Sequence, residues 1–310
     1  MHRRLLHAFL ALTFGFTASL APQAVAPQPA PPVATSAPEY GPATGTLLIV
    51  GGNMSDNFGV PKKFIELAGG PTKKFVIVPT NGGNRNADGT LKVYQDASVL
   101  AAWKRRGLTS AVMLHTWDPK VADTDAFVQP LVDADAVWFD GGRQWNMVDS
   151  YMNTRTLAAF RKVLDRGGVI GGTSAGATIQ GDYLVRGDTS GPDVMMTDEA
   201  THQHGFGFLK RSAIDQHINA RNRWDDLIPV VRKFPQLLGI GLSEDTAIVV
   251  TGDRFEVIGR WKVTVHDSTR AYPPWRKPYD VLDAGDVYNM KTRRIEARGN
   301  GTTPAGRPGA

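Results

Sequence analysis

The sequence predicts an α/β fold: a doubly wound, mostly parallel sheet that ends in an antiparallel extension. Three observations predict it. From Thr46 onward, short runs that are apolar at nearly every position alternate with longer amphipathic segments. Strands read this way when helices cover both faces of a parallel sheet and leave neither face in water. The runs also stop at Gly, Pro or Ser/Thr, where the chain has to turn. Towards the C-terminus the pattern changes to hairpin-like strands around a Gly-Asp turn.

The opening "MHRRLLHAFLALTFGFTASLA" sets Arg3 and Arg4 before an apolar stretch that closes among small residues. This is the layout of a secretory signal peptide, and it assigns residues 1–26 to one. Cleavage after Ala21 or Ala26 would leave proline next in either case, so the cleavage site stays open. An uncleaved membrane anchor is the alternative. Residues 27–45 are rich in Pro and Ala and read as an extended, solvated linker. A single folded domain then runs from 46 to 298. Its parallel strands are "TLLIVGG", "KFVIVPT", "SAVMLHT", "DAVWFDGG" and "GVIGGTS". Its helices include "YQDASVLAAWKRRG" and "RTLAAFRKVLDRGG", which close on basic residues and glycine as helix C-termini favour. "AIVVTGDRFEVIGR" and "WKVTVHD" read as the hairpin strands of the extension, and residues 299–310 as a disordered tail.

Composition narrows the function. The 310 residues, 42% of them hydrophobic, can supply a sizeable core. The net charge of +5 lacks the Lys/Arg stripe with interleaved aromatics of a nucleic-acid groove, so no nucleic-acid partner is expected. No cysteine is present, which removes disulfides and thiolate metal sites. With the leader, this fits a periplasmic or extracellular protein without stable membrane association once the signal is cleaved. No cofactor or metal is expected. "VGGNMSDN" lacks a Walker lysine, and "NRNADG" begins like a calcium loop but has Asn84 at its first position and Gln95 at its twelfth. His202 and His204 read as parts of an exposed loop.

Parallel sheets carry their sites at the carboxyl ends of the strands. There, Gly172-Thr173-Ser174-Ala175-Gly176 matches G-x-S-x-G, the strand-to-helix turn that lifts a serine hydroxyl above a sheet. A Gly-rich turn without chemistry is the alternative. A nucleophilic serine needs a base, and the base an orienting acceptor. His217, in "AIDQHINARNRW", lies between a strand-like and a helix-like run, whereas His266 ends a hairpin strand and reads as structural. In "LLGIGLSEDTAIVV", Ser243, Glu244 and Asp245 interrupt two apolar strands, where charges need a reason. Either this is a polar turn, or Glu244 accepts from the far nitrogen of His217. Arg221 and Arg223 suit bidentate capture of carboxylates. Their alternative is a solvated helix face, because Trp224, Leu227, Ile228 and Val231 form a helical stripe beside them.

In this order and spacing, "GGTSAGA", "DQHINARNR" and "GIGLSEDTA" resemble the cyanophycinases and their relatives the aspartyl dipeptidases, a family of serine peptidases. The resemblance implies a class I glutamine amidotransferase-like or flavodoxin-like form of the fold. It implies Ser174 as nucleophile, His217 as base and Glu244 as its acid. The block "FDGGRQW" would place Gln144 at the substrate, with backbone N–H groups at Gly142 and Ala175 forming the oxyanion hole. Asp215, Gln216, Arg221 and Arg223 occupy positions that bind an aspartate-rich substrate in the family. Two positions depart from it: the family's third arginine falls at Asp226, and the Asp usual before the Gln is Arg143.

The expected function is therefore an exported serine peptidase acting on aspartyl bonds, with the β-Asp-Arg linkages of cyanophycin as the leading substrate. The alternatives are an aspartyl dipeptidase or isopeptidase on small acidic peptides, or a binding protein that keeps the fold without turnover. A homodimer stays open, since nothing in the sequence fixes the oligomeric state.

Overall fold

Backbone pairing sorts the apolar runs into two sheets. The computed structural model describes residues 37–299. Five parallel strands form the heart of the larger sheet: β1 (Thr46–Val50), β2 (Phe75–Val78), β3 (Ala111–Met113), β4 (Ala136–Phe139) and β5 (Val169–Thr173). Four more join antiparallel beyond β1: β8 (Thr246–Thr251), β9 (Arg254–Gly259), β12 (Val287–Asn289) and β13 (Arg294–Ala297). The order is β13-β12-β9-β8-β1-β5-β4-β2-β3. A second sheet, β11-β10-β7-β6, holds β6 (Ser212–Gln216), β7 (Leu238–Leu242), β10 (Val263–His266) and β11 (Tyr279–Leu282).

The helices are α1 (Val60–Leu67), α2 (Asp96–Arg105), α3 (Pro119–Ala122), α4 (Asp125–Val128), α5 (Trp145–Tyr151), α6 (Arg155–Asp165), α7 (Ala175–Thr178) and α8 (Leu227–Lys233). The parallel strands feed two cores because successive side chains point to opposite faces. Leu48, Val50, Ile77 and Trp138 pack with Phe64 of α1 and Trp103 of α2, where the three rings meet at 4.9 to 5.5 Å between centroids. On the other face Leu47, Ile49, Val137 and Phe139 pack with Phe160 of α6 and with Ile214, Ile240 and Leu242 of the second sheet. Full burial of each such side chain contributes about 1.5 to 3 kcal/mol.

The class is thus mixed α/β with a large sheet containing a parallel half. Its strand order departs from the flavodoxin order 2-1-3-4-5. The parallel run reads β3-β2-β4-β5-β1, so the first strand fills the outer place beside β5. This places Val50 opposite Thr173, and the turns leaving β1 and β5 meet.

Two expectations need correction. "WKVTVHD" does not extend the β8–β9 hairpin. Its strand, β10, is buried at all four residues and lies between β7 and β11, a position that an edge of the larger sheet could not offer. The solvated linker also ends before residue 45. Tyr40 is only 2% exposed, the N–H groups of Glu39 and Tyr40 donate to Asp253 Oδ1, and Gly41 pairs with Gly252. The one aromatic in that stretch supplies the apolar area that docks it. At the other end, Gly299 donates its N–H to Asp286. The expected signal peptide, the rest of the linker and residues 300–310 lie outside the described residues.

Candidate active site

Strand ends from both sheets converge on one place. β6 and β7 run parallel, so the segments leaving them, at His217 and Glu244, emerge at the same end of the second sheet. They meet the turns after β1 and β5. The N–H of His217 donates to the Gly51 carbonyl at 2.6 Å, that of Asp245 to Gly52 at 3.0 Å, and that of Ser174 to Val50 at 3.0 Å. Asp245, buried, also accepts from the Ser55 N–H and the Asn53 amide, which explains one of the charges interrupting the apolar strands.

Ser174 sits at φ 56°, ψ −118°, between β5 and α7. A non-glycine residue held there costs on the order of 1 to 3 kcal/mol and needs surroundings that enforce it. Gly172 is part of that enforcement: a Cβ would stand 2.3 Å from the Gly176 carbonyl oxygen, so only glycine lets α7 turn back so closely.

The serine Oγ lies 2.9 Å from His217 Nε2, and His217 Nδ1 lies 2.6 Å from Glu244 Oε1. With Nδ1–H donating to the carboxylate, Nε2 is free to accept from the hydroxyl. Glu244 is fixed in turn by its N–H, which donates to Asn219 Oδ1 at 2.9 Å. Gly52, at φ 118°, lies against the imidazole; a Cβ there would be 2.1 Å from His217 Cε1. Burial lowers the His217 pKa below its usual 6.5, and the positive charges of Arg221 and Arg223 add to this. The hydrogen bond and charge of Glu244 oppose it, and the net direction is down. The imidazole is therefore neutral at neutral pH and able to take a proton.

A cavity of about 220 Å³ opens beside the serine, lined by Ser174, Gln216 and four arginines: Arg143, Arg186, Arg221 and Arg223. Gly142 and Gln144 also line it. Ala175 is the first residue of α7, where backbone N–H groups lack a carbonyl one turn back. The turn carrying Gly142 is tied down by Asn81, whose carbonyl accepts from Arg143 N–H and whose amide donates to the Asp140 carbonyl. The Asp140 carboxyl is raised to about 6 by burial, against the hydrogen bond from the Trp138 indole.

The profile of peptidase family S51 matches residues 47–258. The chain belongs to that family. It is a serine-type peptidase. A cyanophycinase from Synechococcus elongatus is 25% identical over 284 residues, covering 86% of this chain and 85% of its own. One from Geminocystis herdmanii is 27% identical over 268 residues, covering 80% and 95%. The crystal structure of a peptidase from an acI-B1 Actinobacterium shares the fold, with a TM-score of 0.58 at 23% identity, covering 79% of this chain and 97% of that one.

Some residues of this S51 peptidase stand differently from the sequence expectation. Asp215 does not line the cavity. It is fully buried, and its two oxygens accept from Arg186 Nε at 2.9 Å and Nη2 at 3.1 Å, with the Gln216 N–H on the first. Gln144 lines the cavity, but its amide nitrogen donates to the carbonyls of Val185 and Arg186 at 2.7 and 2.8 Å. Arg221 and Arg223 lie in the turn before α8, since the helix begins only at Leu227. His202 is not in an exposed loop: it is buried between Glu199 at 2.6 Å and Asp149 at 2.8 Å. The sequence reading missed Arg186, Asn219 and Gly52. Asn219 lies inside the quoted "DQHINARNR" and Gly52 ends "TLLIVGG", so a signal existed for both. Arg186 sits in "YLVRGD", a stretch without one.

Proposed function

We propose that this S51 peptidase is exported and hydrolyses aspartyl peptide bonds, the β-Asp-Arg linkages of cyanophycin first among them, through Ser174, His217 and Glu244. The observation that carries the proposal is the hydrogen-bonded line from Ser174 Oγ through His217 to Glu244, opening on a cavity walled by arginines. Export rests on the sequence layout of residues 1–26, and the substrate on the cyanophycinase relatives and the guanidinium wall.

In this mechanism His217 Nε2 takes the Ser174 proton as Oγ attacks the scissile carbonyl carbon. The tetrahedral oxyanion accepts from backbone N–H groups at Gly142 and Ala175, each donor contributing about 2.7 to 4 kcal/mol in comparable enzymes. His217 then gives the proton to the leaving amine, and water releases the acyl group by the same route. Glu244 holds the tautomer and balances the imidazolium. Gln216, Arg221 and Arg223 meet the carboxylate of the aspartyl residue.

A second reading, an aspartyl dipeptidase or isopeptidase on small acidic peptides, is favoured by the size of the cavity. About 220 Å³ lies below the usual 300 to 1,000 Å³ of drug-sized ligand sites and fits roughly one residue. Incubating the mature protein with cyanophycin and with β-Asp-X dipeptides separates the readings by which is cleaved. Ser174→Ala should abolish hydrolysis of either with folding intact. Loss of a triad nucleophile typically costs on the order of 10⁶ in turnover, so residual activity above about 1% would overturn the assignment of Ser174.

A further inference from the structure

Arg186 is more deeply engaged than any other arginine of the cavity. It is 4% exposed, and every nitrogen of its guanidinium is committed. Nε and Nη2 hold Asp215, Nη2 also reaches Asp226 Oδ2 at 2.5 Å, and Nη1 donates to the Pro192 carbonyl at 2.6 Å. Its backbone stands at φ 57°, a conformation that a non-glycine residue keeps only where its surroundings enforce it. Two sets of contacts hold that backbone: Gln144 donates to the Val185 and Arg186 carbonyls from the segment just after Gly142, and the Arg186 N–H donates to the Met195 carbonyl. Arg186 also lines the cavity beside Ser174.

Charge accounts for this arrangement. Neither Asp215 nor Asp226 lines the cavity: Asp215 is fully buried, and Asp226, partly exposed, lies against the same guanidinium. A buried carboxylate without a partner is strongly disfavoured, and any anion near the wall repels an anionic substrate. Arg186 contacts both, and Arg223 adds a second cation 3.8 Å from Asp215. Two cations against two anions make a neutral group. Arg143 and Arg221 form no ion pair among the described residues, so they face the cavity as uncompensated cations.

Resting on the serine-peptidase reading of the cavity, we infer that Arg186 determines its charge selectivity: by neutralising Asp215 and Asp226 together with Arg223, it leaves Arg143 and Arg221 to make the wall cationic and to select an acyl-side residue that carries a free carboxylate. Gln144 is then a positioning residue for Arg186. Asp226, where the family has an arginine, anchors the guanidinium that Arg186 brings from a different part of the chain.

The test is a pair of substrates with one leaving group: a β-aspartyl peptide, and its analogue with the α-carboxylate converted to a carboxamide. The ratio of their kcat/KM values cancels general damage to the protein. The wild-type protein should prefer the carboxylate. Arg186→Gln should lower that preference about tenfold or more, because it leaves carboxylate charge uncompensated near the substrate carboxylate. Arg186→Lys, which keeps the charge without the planar fork, should recover part of it. Asp226→Asn, which removes an anion paired to Arg186, should raise the preference about threefold or more. Equal losses on both substrates in Arg186→Gln would mean a purely structural role and overturn the inference. Should Arg186→Gln fail to fold, Asp226→Asn decides, and an unchanged or lower preference overturns it. A wild-type protein that is not labelled at Ser174 by a phosphonate, and cleaves neither peptide, would instead remove the serine-peptidase reading beneath it.

Discussion

Gly52→Ala is a one-carbon change that should disable the base without replacing any proposed catalytic residue. The added Cβ would stand 2.1 Å from His217 Cε1, 2.4 Å from Nδ1 and 2.6 Å from Nε2. Carbon atoms in contact prefer about 3.5 to 4.0 Å, so the ring or the turn after β1 has to give by roughly 1.4 Å. The ring is pinned on both sides, at 2.9 Å from Ser174 and 2.6 Å from Glu244, and a shift of that size breaks at least one of these bonds. A misplacement of about 1 Å costs on the order of 100-fold in rate, so turnover should fall by at least that factor. The backbone, at φ 118°, adds strain of about 1 to 3 kcal/mol. Gly59→Ala is the control, because Gly59 also has positive φ, at 74°, yet nothing lies within 4 Å of its Cβ position. The assay is kcat on a β-aspartyl peptide, with thermal melting of both variants. If Gly52→Ala retained turnover within about threefold of wild type while staying folded, His217 would not be the base in the arrangement described.

Two further outcomes follow from charge and burial. Arg221 disfavours the imidazolium of His217, so Arg221→Gln should move the acid limb of kcat/KM on a neutral substrate to higher pH; Glu244→Gln, which removes an opposing influence, should move it lower. An unmoved limb in both would detach His217 from the rate. His266 is pushed down to about 3 by burial, whereas an unfolded histidine titrates near 6.5, so the unfolded chain takes up a proton that the native one refuses. This contribution to stability is present above about pH 6.5 and is lost as pH falls towards 3, by up to about 1.4 kcal/mol per pH unit. Urea unfolding of His266→Asn should therefore depend less steeply on pH in that window, with peptidase activity near wild type.

The parallel half of the fold was legible because strands buried on both faces leave an unmistakable apolar run, as "KFVIVPT" and "DAVWFDGG" do for β2 and β4. The second sheet was not, since β7 and β10 carry the same kind of run and periodicity does not say which sheet a strand joins. The line from Ser174 to Glu244 could be read for a related reason: each residue lies within two positions of the end of a buried strand, where a polar side chain needs a purpose. Arg186 could not. Its partners Asp215 and Asp226 are 29 and 40 residues away, and nothing local marks it apart from an ordinary turn after "YLV".

The two departures that the sequence resemblance implies, at Arg143 and Asp226, therefore need not act as separate losses. Taken as sequence alone, Arg143 in place of an aspartate adds positive charge and Asp226 in place of an arginine removes it, so the cavity's net charge would stay level. Position changes that outcome. Asp226 is bonded to Arg186 at 2.5 Å and does not line the cavity, while Arg143 lines it without an ion pair among the described residues. The negative departure is spent on holding another guanidinium, and the positive one remains available to an incoming carboxylate. Interaction energy falls with distance and with solvent screening, so a charge at the wall outweighs one already neutralised in an ion pair. Together the exchanges should make the cavity more selective for an anionic acyl-side residue than either substitution alone would suggest.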